Sequence, residues 1–427
     1  MQYRIKKVAV LGSGVMGSGI ACQLANVGLE VLMLDILPQK PIDTKTDRNR
    51  VAQNALNKAI KSKPAPLYKK EYASRILVGN LEDDFEKIND VDWIIEVVLE
   101  RLDIKRLIFE KVEKYRKPGS IVSSNTSSIP ISQLSQGRSE EFKKNFCGTH
   151  FFNPPRYLRL LEIIPIAETR DELVDFFMHF GQINLGKQTV LCKDTPAFIA
   201  NRIGVMSGVK VFDLTQKYDL SIEEVDALTG SLIGRPNTGT YRLQDLVGLD
   251  TGEKVTQFVI DNVKNDSFFE SVGKAPETKF MTFLLENNFL GNKTGKGFYH
   301  KTDQKDKKGK TIINALDLKM LEYKPSISPK NPIIKEARAI EKMQKRLSFL
   351  ICKEYKESLF LKEYFTAIFA YSVQRVPEIS DQYYPVDDAM RAGYVWDFGP
   401  FEYWDLIGFQ NGLDLIKAAG EAIPEWI

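Results

Sequence analysis

A chain of 427 residues is too long for one ordinary hydrophobic core, so its length predicts two or three domains. Its 59 Lys and Arg residues nearly balance 56 Asp and Glu residues, and the formal net charge of +3 argues against a nucleic-acid-binding protein. The four cysteines form no closely spaced pair, which argues against a disulfide framework and against a bound metal such as zinc.

The first half of the chain alternates predicted strands and helices. The apolar run 8–11 is followed by a glycine-rich turn, a helical pattern over 16–27 and a second apolar run over 30–34, which together predict a βαβ unit. This alternation predicts an α/β fold, a Rossmann-type, doubly wound and mostly parallel sheet, in a domain of residues 1–189. Further buried strands are predicted at 93–98, 120–124, 146–151 and 160–164.

After about residue 190 the pattern becomes mainly helical. We expect a first helical domain over 190–300, a linker over 301–338, where lysines and then prolines are frequent, and a second helical domain over 339–427. No leader peptide is recognisable at Met1–Lys7, and no run of about 18 apolar residues occurs. These features predict a cytoplasmic protein without a membrane span.

The second helical domain repeats the order of short motifs found in the first. Val225-Asp226 recurs as Val386-Asp387, and Asp245-Leu246-Val247-Gly248 recurs as Asp405-Leu406-Ile407-Gly408. The offsets are 161 and 160 residues, which differ by a one-residue slip in a loop. Ordered spacing over nearly thirty residues indicates two related all-α domains, the second a duplicate of the first.

A glycine-rich turn between the first strand and the first helix predicts a nucleotide site. Gly12 permits the tight turn, Gly14 lets a pyrophosphate approach the backbone, and Gly17 lets the helix pack on the strand. Asp35 ends the second strand, where a carboxylate can accept hydrogen bonds from both hydroxyls of the adenosine ribose. Because the same carboxylate repels a 2′-phosphate, NAD is favoured over NADP. Without Asp35, a glycine-rich turn that binds no ligand would be an equal alternative. The cofactor-binding candidates of this segment are Gly12, Gly14, Met16, Gly17 and Asp35.

The candidates for a histidine base are few, because the chain has only His150, His179 and His300. For His179 and His300 a surface or packing role is the favoured interpretation. His150 ends an apolar strand, and Glu162 lies among apolar neighbours on the next strand, where an unpaired carboxylate is costly. A His150–Glu162 pair would fix the imidazole tautomer and suit a base that removes a hydroxyl proton. If these two residues stood alone, a purely structural pair would be the favoured interpretation.

Several motifs are informative when they are taken together, in order and spacing. They are the glycine-rich turn, Ser124-Asn125-Thr126-Ser127-Ser128, the His150 segment, Thr195-Pro196-Ala197-Phe198-Ile199-Ala200-Asn201-Arg202 and Asn292-Lys293-Thr294-Gly295-Lys296-Gly297-Phe298-Tyr299. These motifs resemble the NAD-dependent L-3-hydroxyacyl-coenzyme A dehydrogenases of fatty-acid β-oxidation. The duplicated helical domain resembles the multifunctional enzymes of that pathway, although we find no hydratase region in the chain. The resemblance implies oxidation of an L-3-hydroxyacyl-coenzyme A to its 3-oxo product with reduction of NAD.

The same resemblance implies roles for individual residues. His150 is the general base and Glu162 its orienting partner, while Ser127 and Asn201 hold the reacting oxygen. Without the family, Ser127 would be interpreted as a turn residue and Asn201 as a helix-surface residue. The resemblance also places Glu100, Lys105, Asn125 and Lys293 at the cofactor and Asn153 at the acyl-coenzyme A substrate. Lys61 ends a basic helix that could meet the coenzyme A phosphates.

Three questions stay open from the sequence. The substrate could be another thioester such as 3-hydroxybutyryl-coenzyme A, and the protein could bind NAD without catalysis. A hydratase and a thiolase could be fused to the chain or act as its partners.

The duplicate lacks a counterpart of the Asn201 segment, with Lys362 at the equivalent position, so a structural role is expected for it. Because that copy could mimic a dimer contact, a monomer is expected, with a dimer as the alternative.

Overall fold

The computed structural model describes residues 3–39, 48–275 and 278–427. The chain divides into two units. Unit 1 consists of Met1–Ile199, Glu378–Asp381 and Ala392–Tyr394, and unit 2 of Ala200–Pro377, Gln382–Arg391 and Val395–Ile427. Two short segments of the second helical copy therefore belong to the unit that contains the amino-terminal half. Within the described ranges, none of the helices combines the length and the apolar character that crossing a lipid bilayer requires.

Unit 1 is built on an eight-stranded sheet in the order β3-β2-β1-β4-β5-β6-β7-β8. Neighbouring strands are parallel except for β6 and β7, which confirms the predicted doubly wound, mostly parallel fold. The strands are β1 (Lys7–Leu11), β2 (Glu30–Asp35), β3 (Ile76–Asn80), β4 (Trp93–Glu96), β5 (Ile121–Ser124), β6 (Phe146–Phe151), β7 (Leu160–Pro165) and β8 (Gln188–Leu191).

The central strands are apolar on both faces because helices cover both sides of the sheet. Residues 8–11 of β1 and 93–95 of β4 are completely buried. The chain crosses between parallel strands through helices, and the switch in strand order between β1 and β4 opens a crevice at the carboxyl ends of the strands. The helices of this part are α1 (Val15–Asn26), α2 (Arg50–Lys61), α3 (Leu102–Tyr115), α4 (Ile131–Leu134), α5 (Glu140–Lys144) and α6 (Asp171–Ile183).

Helices from both copies make up most of unit 2, as the sequence predicts. The first copy contributes α7 (Ala200–Lys217), α8 (Ile222–Thr229), α9 (Tyr241–Val247), α10 (Leu249–Asn262), α11 (Ser267–Lys274) and α12 (Lys279–Glu286). The second contributes α13 (Pro332–Ala339), α14 (Met343–Ile351), α15 (Lys356–Ile379), α16 (Tyr384–Gly393), α17 (Pro400–Ile407) and α18 (Phe409–Ala418), of which α15 and α16 run into unit 1 segments at their ends.

The sequence repeat has a structural counterpart in two aspartates, one in each copy. Asp226 accepts the backbone N–H groups of Tyr241 and Arg242 over 2.6 and 3.1 Å. Asp387 accepts those of Phe401 and Glu402 over 2.8 and 3.2 Å. Each aspartate thus satisfies the free N–H groups at the start of a helix, α9 in the first copy and α17 in the second. The two copies are therefore built on the same capping contact.

The lysine-rich stretch, whose composition predicts a linker, has regular structure. It forms a three-stranded antiparallel sheet of β9 (Tyr299–Lys305), β10 (Thr311–Asp317) and β11 (Glu322–Pro325). Its buried residues, Ala315 and Leu316, are few, because most side chains of β9 and β11 are charged or polar. A sheet stabilised mainly by backbone hydrogen bonds leaves little apolar alternation in the sequence, so the composition of the linker predicted over 301–338 did not indicate its regular structure. The domain boundaries assigned around it stay predictions.

Candidate active site

His150 and Glu162 face each other across two neighbouring strands. The antiparallel register of β6 and β7 places the two residues directly opposite. His150 Nδ1 lies 2.7 Å from Glu162 Oε2, and the two residues are 5% and 0% exposed. A carboxylate at Nδ1 favours the tautomer that carries its proton there, which leaves Nε2 as the basic nitrogen. The sequence expectation that Glu162 has a partner, and that His150 is that partner, agrees with this geometry.

Glu162 has further partners that the sequence does not indicate. The Ile199 backbone N–H donates to its Oε1 over 3.2 Å. The thiol of Cys192 donates to the same carboxylate, and burial together with the charge of Glu162 raises the pKa of that thiol. Tyr394, from the second helical copy, lies close enough for Glu162 to raise the pKa of its phenol further above the value that burial already gives. The carboxylate is thus fixed from several sides.

His150 is held by aromatic rings and by the adjacent backbone. Its ring centroid is 4.5 Å from that of Phe152 and 5.7 Å from that of Phe198. Asn125, which follows β5, accepts the Phe151 backbone N–H over 2.8 Å through Oδ1. Asn125 therefore lies beside the strand that carries His150, whereas the resemblance assigns it to the cofactor. An imidazole restrained in this way needs little reorganisation before it accepts a proton.

The glycine-rich turn has the geometry that its sequence predicts. Gly12 has a φ of 105°, and an added Cβ would stand 2.5 Å from the Val97 carbonyl oxygen. A Cβ on Gly17 would stand 1.9 Å from the Gly12 oxygen, whereas a Cβ on Gly14 would meet nothing within 4 Å. The space over Gly14, at the start of α1, is open to a pyrophosphate, which the helix dipole and its free N–H groups would favour.

Asp35 lies at the end of β2, next to the same turn. One of its carboxylate oxygens accepts the backbone N–H of Ser13 over 2.6 Å and the Ser13 hydroxyl as well. Its other oxygen accepts the Ile36 N–H over 2.7 Å. A carboxylate fixed at this point can accept hydrogen bonds from ribose hydroxyls, so the residues present fit NAD. Met16, on the first turn of α1, packs against the core of unit 1.

A charged network lies beside the ends of β4 and β5. Lys105 is 1% exposed, and its Nζ lies 2.7 Å from Glu96 Oε1 and 3.1 Å from Glu100 Oε2. Burial opposes ionisation of Glu100, but Lys105 and two hydroxyl donors outweigh it and lower the pKa of this carboxyl. Ser127 donates its N–H to Glu100 Oε1 over 3.2 Å. Lys105 therefore has a structural ion pair, a role that the sequence does not reveal.

The remaining predicted residues lie elsewhere. Lys61 is exposed at the end of α2, and Asn153 is exposed just after β6. Asn201 is the second residue of α7 and Lys293 pairs with Asp250, both in unit 2. Among the described residues, no group of three or more His, Cys, Asp or Glu side chains could hold a metal ion. Unit 1 thus brings together the His150–Glu162 pair with Asn125, the glycine-rich turn with Asp35, and Ser127 with Glu100.

A buried lysine ties down the loop after His150. Lys187 is 5% exposed, and its Nζ donates to the carbonyls of Pro155 and Leu158, the latter over 2.7 Å. No carboxylate is among these acceptors, and burial lowers the pKa of Lys187 to about 8. The loop is therefore held by an ammonium group that the fold makes easier to deprotonate.

This lowered pKa predicts a pH-dependent stability. Between about pH 8 and 10.4 the unfolded chain keeps the Lys187 proton while the folded chain loses it, so the free energy of unfolding rises with pH in this window. The difference in unfolding free energy between the parent and Lys187→Met, measured by urea denaturation at pH 7, 8, 9 and 10, should move in favour of the parent by about 2 to 3 kcal/mol. A difference that stays constant with pH would contradict the prediction.

Profiles of two domain families match the chain. The NAD binding domain of 3-hydroxyacyl-CoA dehydrogenase matches residues 7–195, and the C-terminal domain of 3-hydroxyacyl-CoA dehydrogenase matches residues 198–301. The first match contains the glycine-rich turn, Asp35, His150 and Glu162, and the second contains Asn201 and Lys293. The two matches end before the second helical copy.

Individual proteins agree with the profiles. A probable 3-hydroxyacyl-CoA dehydrogenase from Bacillus subtilis is 43% identical over all of this chain, which spans 54% of that protein, about half its length. One from Deinococcus radiodurans is 45% identical over 72% of this chain and 85% of its own length. The crystal structure of a 3-hydroxybutyryl-CoA dehydrogenase from Escherichia coli has a TM-score of 0.71 and 22% identity, and the match covers 98% of this chain and 96% of that one. This last similarity shows that the fold is shared along nearly the whole chain.

Proposed function

Because the chain belongs to the family of NAD-dependent 3-hydroxyacyl-CoA dehydrogenases, we propose that it oxidises L-3-hydroxyacyl-CoA thioesters in fatty-acid β-oxidation. The observation that carries the proposal is the buried His150–Glu162 pair, 2.7 Å apart. β6 runs parallel to β5, β4 and β1, so His150 and the glycine-rich turn lie toward the same edge of the sheet. Ligands of open α/β sheets bind at that edge.

The proposed chemistry divides between cofactor and protein. NAD, when bound, accepts the hydride from C3 of the substrate. His150 removes the proton of the 3-hydroxyl through Nε2, because Nδ1 is engaged with Glu162. The Glu162 side chain, hydrogen-bonded to Nδ1, stabilises the imidazolium that forms. Ser127 and Asn201 are proposed to hold the reacting oxygen, since a hydroxyl and an amide can each donate to it.

Residues of unit 1 would hold the cofactor in the proposed complex. The glycine-rich turn and the start of α1 would bind the pyrophosphate, and Asp35 the adenosine ribose. Glu100, Lys105 and Asn125 are proposed to lie near the nicotinamide half, and Lys293 also contributes in the family's pattern. Lys61 and Asn153 are proposed contacts of the acyl-CoA.

Two glycine substitutions separate cofactor binding from folding. Gly14→Ala adds a methyl group into open space, so we expect unchanged thermal stability and a KM for NAD raised about tenfold, because the backbone can no longer approach the pyrophosphate. Gly17→Ala places Cβ 1.9 Å from the Gly12 oxygen, so we expect poor folding. Calorimetry gives Tm and steady-state kinetics gives KM. An unchanged KM in Gly14→Ala would refute the proposed pyrophosphate site.

The function itself is tested with the intact chain, NAD and a series of L-3-hydroxyacyl-CoA substrates of short, medium and long acyl chains. We expect NADH formation with the L series and none with the D series, and the length profile identifies the preferred substrate. A preference for the four-carbon thioester would assign the protein to 3-hydroxybutyryl-CoA. NAD binding without NADH from any thioester would refute the proposed activity and support a non-catalytic NAD-binding protein.

The relative from Bacillus subtilis is longer than this chain. The partners that we propose for the chain are the enzymes of the preceding and following steps of β-oxidation. The substrate of β-oxidation at this step is the product of an enoyl-CoA hydratase, and the product is the substrate of a thiolase. We propose such enzymes as fused or separate partners. A monomer, with a dimer as the alternative, and a cytoplasmic location are proposed for the chain, whose four cysteines are free in the structure.

A further inference from the structure

Glu96 is completely buried at the end of the central strand β4. It is 0% exposed and follows residues 93–95, which are completely buried as well. The parallel register places Glu96 beside Leu11 of β1 and Ser124 of β5, so it lies at the carboxyl ends of three neighbouring strands. A carboxylate in such a place is costly to bury unless it is paired and hydrogen-bonded. The contacts of Glu96 therefore have to offset a large cost of burial.

Both oxygens of the Glu96 carboxylate have partners. Oε1 accepts the Val98 backbone N–H over 2.7 Å and the ammonium of Lys105 over 2.7 Å. Oε2 accepts the Ser124 hydroxyl. Burial opposes ionisation of Lys105, but the charges of Glu96 and Glu100 outweigh it and raise the pKa of the ammonium. Glu96 is thus one half of a buried ion pair and, through its other oxygen, an acceptor for the end of β5.

One chain of hydrogen bonds leads from Glu96 into the turn that follows β5. The Ser124 hydroxyl that donates to Glu96 also accepts the Thr126 backbone N–H over 3.2 Å. The Asn125 backbone N–H donates to the Glu96 carbonyl over 2.9 Å. The backbone of residues 124–126 is therefore fixed by both the side chain and the main chain of Glu96.

A second chain of contacts reaches the same turn through Lys105 and Glu100. Lys105 Nζ lies 3.1 Å from Glu100 Oε2. Glu100 Oε1 accepts the Ser127 backbone N–H over 3.2 Å, and the same oxygen accepts the hydroxyls of Thr126 and Ser128. Ser127 is partly exposed, whereas Thr126 and Ser128 are 1% and 7% exposed. The turn is thus held from inside while Ser127 stays accessible.

We propose that Glu96 is a positioning residue for Ser127. Through Ser124 and Lys105 it fixes the turn whose serine hydroxyl holds the reacting oxygen. This inference rests on the proposed function, which gives Ser127 that role. Glu96 acts through its neighbours, because a carboxylate that is 0% exposed is not accessible to a substrate. A hydroxyl fixed in this way needs little reorganisation when charge develops on the oxygen that it contacts.

The test compares two variants with the parent in the intact chain. Ser124→Ala removes the bridging hydroxyl and no charge. Glu96→Gln removes a charge, and Glu100 remains as the counter-ion of Lys105. We expect each variant to lower kcat about tenfold, because a turn that shifts misplaces Ser127. The dissociation constant for NAD should stay within about threefold of the parent, since the glycine-rich turn is unchanged.

Glu357→Gln is the matched control for these variants. Glu357 is another buried glutamate, 4% exposed, and its Oε1 accepts the Asn331 side-chain amide over 2.6 Å within unit 2. Neither residue is part of the proposed site. Glu357→Gln should therefore keep kcat within about twofold of the parent, whatever its effect on Tm.

Double variants separate positioning from a general loss of stability. If Glu96 acts through Ser127, adding Glu96→Gln to Ser127→Ala lowers kcat no further than Ser127→Ala alone. The same comparison with Ser124→Ala gives an equivalent test without a change of charge. Fully additive losses of kcat, or variants that lose only Tm, would overturn the positioning role.

The parent chain in the same assay distinguishes the two levels of the argument. A parent that binds NAD but forms no NADH from any thioester would overturn the proposed function, and with it the basis for a positioning role. A Ser127→Ala enzyme with the parent kcat would overturn the roles of Ser127 and Glu96 together. An active parent whose Glu96→Gln and Ser124→Ala variants behave like Glu357→Gln would overturn the role of Glu96 alone.

Discussion

We expect the replacement of His150 by glutamine to lower kcat about 10²- to 10⁴-fold, the contribution typical of the general base that we propose here. Glutamine can still donate to Glu162 through its amide, so the buried carboxylate keeps a partner and the variant folds. It cannot accept a proton near neutral pH. Stopped-flow or steady-state NADH absorbance measures kcat. Isothermal titration calorimetry of the variant with NAD tests the expectation that NAD binding persists.

The chain offers two matched controls for this variant. His179 is exposed on α6 and His300 is partly exposed on β9, and neither is placed at the site. His179→Gln and His300→Gln should keep kcat within about twofold of the parent, because neither ring touches the reacting groups. A loss of activity in His150→Gln no larger than in these controls would remove His150 from the mechanism.

Replacing Arg202 with methionine lowers the free energy of unfolding by about 3 to 5 kcal/mol, since it leaves a buried carboxylate without its main counter-ion. Arg202 is 0% exposed, and its Nη2 lies 2.9 Å from Asp266 Oδ2. The Tyr371 hydroxyl joins this pair, accepting from Arg202 Nε over 2.7 Å and donating to Asp266 over 2.7 Å. Helix α7 of the first copy and helix α15 of the second are thus linked by a buried hydrogen-bond network within unit 2.

Two further variants calibrate this result. Tyr371→Phe removes hydrogen bonds but no charge and should cost about 1 to 3 kcal/mol. Arg101→Met breaks an ion pair with Asp103 whose side chains are 65% and 61% exposed, and its effect on stability should be much smaller than that of Arg202→Met. Urea denaturation gives all three values. Equal effects of Arg202→Met and Arg101→Met would show that the buried pair contributes no more than an exposed one.

The central strands and the His150–Glu162 pair could be predicted because their signals are local. Apolar runs on both faces mark β1, β4 and β6, and the cost of burying Glu162 alone predicts the His150 contact that the structure contains. β3 and β8 were missed because they are the two outermost strands of the sheet, and their exposed or polar side chains interrupt the apolar run that marks the central strands. The sheet over 299–325 was missed because its polar composition hides the strands.

Other contacts of the site could not be predicted, because their partners are distant in the sequence. Nothing near Tyr394 indicates Glu162, and nothing near Arg202 indicates Tyr371. Lysine side chains are ordinarily exposed, and nothing in the sequence marks Lys105 and Lys187 as exceptions. In the structure they are 1% and 5% exposed. In each case the tertiary fold supplies the hydrogen-bond partners that offset the cost of burial. These partners leave no periodic pattern in the sequence from which they could be predicted.

The capping contact shared by Asp226 and Asp387 has a consequence for how the two copies can change. In a symmetric homodimer, one mutation alters both protomers at once, so every residue must serve two sites. Here the copies are covalently joined, and a substitution in one leaves the other intact. The join also sets a local concentration that dilution cannot lower. A substitution in the second copy therefore leaves the matching residue of the first unchanged, and the helices of the two copies in unit 2 assemble at any protein concentration.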